Sequence, residues 1–266
     1  MTFFQNKTVW ITGASSGIGE ALVYELAKQQ ANIIISARRQ EELERVKKNT
    51  NYNNISILTL DLVEFDAFET KTKEAISFYG QVDVLIHNGG ISQRSWVKET
   101  TLEVHRKLME VDYFSYVALT KAILPHFQER KIGQFAVISS VMGKIGTPMR
   151  SAYAAAKHAL HGFFDCLRAE VWKENIKVTI ICPGYIRTNV SLNALTATGE
   201  KNNQLGEDIG AGFPADKCAQ QILKAIKNGK NEVYVGKPFG KEWLAMQMQR
   251  FFPSILANLV KKQVPK

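Results

Sequence analysis

"TVWITGASSGIGE" (residues 8–20) joins a run of apolar and β-branched residues to a glycine-rich turn and then to a helix-forming segment. An apolar run without polar alternation marks a strand buried on both faces, which belongs in a parallel sheet covered by helices. Gly13, Gly17 and Gly19 fall where such a strand gives way to a helix. Glycines there let backbone amides approach a pyrophosphate closely, and the helix N-terminus adds partial positive charge. The spacing is G-x-x-x-G-x-G rather than the commoner G-x-G-x-x-G, and glycine triplets also serve as plain tight turns. Position favours the nucleotide, because the first strand-to-helix turn is where dinucleotides bind in this architecture.

Working outward, short Val- and Ile-rich runs recur at "NIIIS" (32–36), "SILTL" (56–60), "VDVLIH" (82–87), "QFAVIS" (134–139), "KVTIIC" (177–182) and "EVYVG" (232–236). The segments between them carry helical spacing, as in Leu22, Val23 and Leu26 or Leu160, Phe163, Phe164 and Leu167. The repeat predicts an α/β fold, a doubly wound Rossmann-type parallel sheet of about seven strands with helices on both faces. Residues 1–240 read as one domain. Within it the polar, glycine-containing stretch 189–213 reads as a lid over a site, with disorder as the alternative. Residues 241–266 form an apolar and basic extension that packs on the core, makes a subunit contact or lies in a membrane interface.

Composition narrows the function classes. The chain has 266 residues, 45% hydrophobic and 22% charged, enough for a large core and far from the signature of disorder. Lys plus Arg exceeds Asp plus Glu by 34 − 25 = 9, a basic balance that an anionic ligand could exploit. No paired Cys/His set or aromatic RNA-binding run accompanies it, so nucleic acid is not an expected partner. Cys166, Cys182 and Cys218 are too few and too scattered for a disulfide framework or a zinc site, and no metal is expected. With no basic-then-apolar leader and no apolar run of spanning length, a cytoplasmic location is expected, with membrane association through the tail as an addition.

The second strand ends in "SARRQEEL". A carboxylate there would bind the adenosine ribose hydroxyls of NAD, whereas Ala37 followed by Arg38 and Arg39 suits a 2′-phosphate, so NADP is the expected cofactor. Arginine is unfavourable at a helix start, which supports a ligand role over an idle one.

"SAYAAAK" (151–157) sets Tyr153 and Lys157 four apart on one predicted helical face, with Ser151 as its cap. A nearby ammonium favours a phenolate, which would bring the tyrosine toward the working range of a general acid or base. The alanines leave room for a flat ligand. Tyr-x-x-x-Lys alone is common by chance, but Ser140 lies thirteen residues upstream, at the C-terminal end of an apolar strand, where ligands bind in doubly wound sheets.

"TGASSGIG", "NGG" (88–90), "ISS" ending at Ser140, "YAAAK" and "PGYIRT" (183–188) resemble, in order and spacing, the motifs of the short-chain dehydrogenase/reductase family, over about residues 5–236. The chain looks most like its compact, NADP-preferring members. The resemblance implies that Tyr153 is the proton donor to a carbonyl oxygen, that Lys157 tunes it and holds the nicotinamide ribose, and that Ser140 binds the substrate oxygen. It implies cofactor contacts from Gly13, Ser15, Ser16, Gly17, Ile18 and Gly19, from Arg38 and Arg39, and from Asp61 and Leu62 at the adenine. Asn88 and Gly89 would flank the cofactor, with Pro183, Gly184, Ile186 and Thr188 near its carboxamide. It also implies a homodimer or homotetramer built on helices within 102–124 and 154–172.

One position departs from the family pattern. "VDYFS" places Asp112 where an asparagine is usual, and Ser115 at the usual glycine. Asp112 keeps an acceptor but adds a charge that could pair with Lys157, altering the proton relay. The expected function is NADP(H)-dependent interconversion of a carbonyl and an alcohol on a lipophilic small molecule, Asp112 being counted with the catalytic residues. The alternative is a non-catalytic NADP-binding sensor or scaffold. His158 and His161, His87 and Trp96 are expected to be structural or surface residues.

Overall fold

β1 (Thr8–Thr12) is buried at all five positions, and its side chains divide between two cores. Val9 and Ile11 join one hydrophobic cluster, Trp10 the other. The same alternation runs through β2 (Asn32–Ser36), where Ile33 and Ile35 oppose Ile34, and β5 (Gly133–Ile138), where Ala136 and Ile138 oppose Phe135 and Val137. Successive strand residues point to opposite faces, so a strand apolar throughout must be covered twice. The computed structural model of the chain describes residues 2–204 and 210–263.

β3 (Ile55–Ile57), β4 (Val84–His87), β6 (Ile176–Pro183) and β7 (Glu232–Val235) complete a seven-stranded parallel sheet in the order β3-β2-β1-β4-β5-β6-β7. α1 (Gly17–Lys28), α2 (Gln40–Thr50) and α7 (Ala215–Lys227) cover one face. α3 (Phe68–Tyr79), α5 (Ser115–Arg130) and α6 (Ser151–Glu170) cover the other. Strand order reverses between β1 and β4, which opens a crevice beyond their carboxyl ends.

Two local features differ from simple helical reading. α4 (Leu102–Met109) and α5 are joined by a π-turn over Glu110–Phe114, whose extra residue per turn re-aims its side chains. Asp112 lies within it, fully buried. Ser151 is the first residue of α6 rather than its cap, and its hydroxyl lies 3.3 Å from His105 Nε2.

α8 (Lys241–Phe251) and α9 (Pro253–Val260) pack back on the body through Leu256, against Val141 and Ile145. Their outer side exposes Phe251, Phe252 and Ile255 at 62%, 58% and 54%. Among the described residues no helix is long and apolar enough to cross a membrane. Of the stretch 189–213, residues 205–209 lie outside the described residues; Leu195 is buried beside Val104, Leu108 and Ala152.

Candidate active site

The glycine-rich turn is shaped by what a side chain would strike. Gly13 and Gly17 have φ of +65° and +61°, a left-handed conformation that costs L-residues energy. A Cβ on Gly13 would lie 2.5 Å from Gly89 Cα, and one on Gly89 would lie 2.6 Å from Leu62 Cδ1. Asn88 ties the turn to β4, its Nδ2 donating to the carbonyls of Thr12 and Gly13 at 3.0 and 3.1 Å. Arg45 ties it to α2 by donating to Ser15 O at 3.1 Å and to Glu20 Oε1 at 2.8 Å.

This turn forms one wall of a cleft of about 670 Å³ at the carboxyl ends of the strands. Gly13, Ser15, Ser16, Gly17 and Ile18 line it, followed by Arg38 and Arg39 and then by Asp61 and Leu62. Asn88, Gly89 and Asp112 form its floor side with Ser140, Tyr153 and Lys157, and Pro183, Gly184, Ile186 and Thr188 border it from the β6 end. Gly19 is the exception. It is buried behind the turn, where a Cβ would lie 2.3 Å from Gly13 O, so it serves the packing of α1 under the turn. A glycine-rich cradle, a helix N-terminus and an exposed arginine pair fit the phosphates of a dinucleotide. Neither arginine side chain has a protein partner among the described residues.

Lys157 and Asp112 are the buried charges of the cleft, 4% and 0% exposed. Lys157 Nζ lies 3.2 Å from Asp112 Oδ2 and donates to Ile138 O at 3.2 Å. Asp112 Oδ1 accepts from the Ile91 N–H at 2.8 Å, while Oδ2 receives no aligned hydrogen bond, so the pair is held by charge more than by geometry. Burial opposes the ammonium, but Asp112 and the neighbouring tyrosines outweigh it and raise Lys157 above its ordinary value. Burial also lifts the Asp112 carboxyl, against the pull of Lys157 and the Ile91 amide. The Ile91 amide and the nearby ammonium favour the carboxylate against that lift. The Tyr153 and Tyr116 rings stand 5.6 and 5.3 Å from Nζ. Tyr116, whose phenol burial pushes up, was not singled out by sequence; its four-residue spacing from Asp112 was the available signal.

Ser140 caps a short turn, its Oγ accepting from Met142 N at 3.1 Å, and borders the cleft. His87 does not. It is stacked on Tyr116 at 4.7 Å, hydrogen-bonded to Thr120 at 2.9 Å, and pushed down to about 3 by burial. His158 is exposed while His161 is buried, and no group of metal-ligating side chains is found among the described residues. Trp96 is half-buried and lies outside the cleft lining.

Residues 7–198 match the family model described as short chain dehydrogenase. The chain is 41% identical, over 98% of its length and 81% of the relative's, to a dehydrogenase/reductase SDR family protein 7-like of Drosophila melanogaster. Its fold is also that of two Burkholderia short chain dehydrogenases. One, from Burkholderia cenocepacia in complex with NADP, has a TM-score of 0.81 at 21% identity, covering 99% of this chain and 100% of that one. The other, from Burkholderia phymatum in complex with NAD, has a TM-score of 0.84 at 17% identity, covering 96% of each. The glycine-rich turn, the strand order and the sequence match agree: this chain belongs to the short-chain dehydrogenase/reductase family, oxidoreductases whose fold binds a nicotinamide cofactor.

Proposed function

We propose that the protein is an NADP(H)-dependent oxidoreductase that interconverts a carbonyl and an alcohol on a lipophilic small molecule. The observation that carries this reading is that Ser140, Tyr153 and Lys157 border the same cleft as the glycine-rich turn and the arginine pair. Bound NADPH supplies hydride chemistry. The turn at 13–18 holds the pyrophosphate, Arg38 and Arg39 the 2′-phosphate, and Asp61 and Leu62 the adenine side. Ser140 orients the substrate oxygen, and Tyr153 gives it a proton during reduction or takes one during oxidation. The Lys157 ammonium stabilises the phenoxide left behind. Apolar cleft residues such as Met142, Val190 and Leu195 favour a lipophilic substrate, and residues 189–213 act as the lid of a 1–240 domain.

Cofactor choice is testable. Replacing both Arg38 and Arg39 by Ala is expected to lower the NADPH-over-NADH preference in kcat/KM about 10- to 100-fold, the worth of one or two charge-assisted hydrogen bonds. An unchanged ratio would place the 2′-phosphate elsewhere.

The Asp112–Lys157 pair, which engages the ammonium at 3.2 Å, favours as a second reading a non-catalytic NADP-binding sensor or scaffold. Tight NADPH binding without oxidation across a broad panel of ketones and aldehydes would select it.

The reading includes a cytoplasmic homodimer or homotetramer with peripheral membrane contact through 241–266. Exposed Phe251, Phe252 and Ile255 beside Arg250, Lys261 and Lys262 support the contact. The intact chain should sediment with anionic vesicles, and the triple variant Phe251→Ser, Phe252→Ser, Ile255→Ser should stay in the supernatant. Equal sedimentation of the two would assign those side chains to a protein contact.

A further inference from the structure

Behind Ser140 lies a cluster of polar side chains that the proposed chemistry does not use. Ser139 Oγ, on a residue 3% exposed, stands 3.2 Å from the Lys157 carbonyl oxygen and 3.1 Å from His161 Nε2. His161 Nδ1 stands 3.3 Å from Glu232 Oε2, out of line for a hydrogen bond, and Lys144 Nζ meets the same oxygen at 2.7 Å. The fit is tight: a Cβ on Gly143 would lie 2.5 Å from Ser139 Oγ and 2.9 Å from His161 Nε2.

Counting hydrogens fixes the direction of the chain. A hydroxyl has one hydrogen, and when Ser139 gives it to the Lys157 carbonyl, Nε2 must be the donor to Oγ. On the other side of the ring Nδ1 lies against Glu232 without an aligned hydrogen bond. A neutral ring with its hydrogen on Nδ1 takes the Ser139 hydrogen at Nε2, and the Lys157 carbonyl loses that bond.

The consequence reaches the cleft through the chain. Ser139 precedes Ser140, and Ile138 O accepts from Lys157 Nζ, so residues 138 and 139 grip Lys157 at its ammonium and its carbonyl. We infer that His161, placed against Glu232, is a positioning residue that orients Ser139 and so sets Ser140 against Tyr153 and Lys157. The inference rests on the catalytic roles proposed above for those three residues.

The groups facing the imidazole come from four elements. Glu232 on β7 is held down at about 2, first by His161 and then by Lys144, with burial opposing, and stays ionised near neutral pH. Cys182 on β6 lies 3.9 Å from Nε2, and burial pushes its thiol up to about 12, so it stays neutral. Lys144 approaches from the turn after β5, and on α6 itself the Lys157 ammonium points away to Asp112.

The test compares the parent with His161→Gln, His161→Asn and Ser139→Ala. NADPH oxidation with 4-nitrobenzaldehyde as carbonyl probe gives kcat and KM, and the histidine ring nitrogens of the unliganded, ¹⁵N-histidine-labelled proteins are followed by NMR. KM for NADPH should stay unchanged in the variants. His161→Gln, whose amide replaces the Nε2 donor, should keep kcat within about threefold, whereas His161→Asn and Ser139→Ala should lose about tenfold. The His161 Nε2 signal of the parent should be displaced in Ser139→Ala. A signal that Ser139→Ala leaves in place overturns the inference, whether or not the aldehyde is turned over. So does equal kcat in His161→Asn and the parent while Tyr153→Phe is inactive. An active Tyr153→Phe instead condemns the proposed reaction.

Discussion

Replacing Tyr153 with Phe is expected to lower kcat for NADPH-dependent carbonyl reduction by about 10²- to 10⁴-fold, the usual contribution of a positioned general acid. The substitution removes one hydroxyl from a half-buried ring on α6 and leaves its packing against the Val104–Leu108–Leu195 cluster intact. NADPH affinity, read by nucleotide fluorescence, should therefore change little. The discriminating pair of numbers is kcat and the nucleotide dissociation constant in the same preparation. Equal turnover by Tyr153→Phe and the parent would remove this phenol from the mechanism. A matching loss of binding would make it a structural residue of the cleft.

The second large effect is on stability. Asp112→Ala leaves the Lys157 ammonium buried without its carboxylate and should destabilise the fold by about 3–5 kcal/mol, the cost of breaking a buried pair by removing one partner. Asp112→Asn keeps an acceptor and loses only the charge, so it should fall between Ala and the parent. The sign of the pH dependence follows from Lys157. Its folded value is raised, so the stabilisation is fully present below the ordinary lysine value of 10.5 and is lost as pH rises through the higher folded value. Urea unfolding midpoints of the three proteins at neutral pH, and of the parent into the alkaline range, measure both. Asp112→Ala as stable as the parent would mean that Ile138 O and the Tyr116 ring suffice to hold the ammonium.

Much of this architecture is written locally. A strand such as β1 is apolar at every position because helices cover both its faces, so burial and sequence carry the same information. The turn at 13–19 is legible for a similar reason: positive φ at Gly13 and Gly17 leaves little choice of residue. Spacing along one helix was enough to set Tyr153 and Lys157 side by side. Gly19 marks the limit of motif reading, since it belongs to the same triplet but packs behind the turn instead of lining the cleft. The strand β3 ends at Ile57, inside its apolar run, although the Leu58 and Leu60 amides still donate to the Ile35 and Ala37 carbonyls.

By itself, then, the sequence determined the parallel α/β sheet, the nucleotide-type turn and the partnership of a phenol with an ammonium, because each depends on neighbours within a few residues or on a short period. Tertiary structure alone decided what stands around them. Asp112 reaches Lys157 across 45 positions because a π-turn re-aims it into the cleft. His161 meets Ser139 and Glu232 because α6, β5 and β7 converge there. Electrostatic contacts of this kind act through space and leave no period in the chain, so only the folded coordinates bring their partners together.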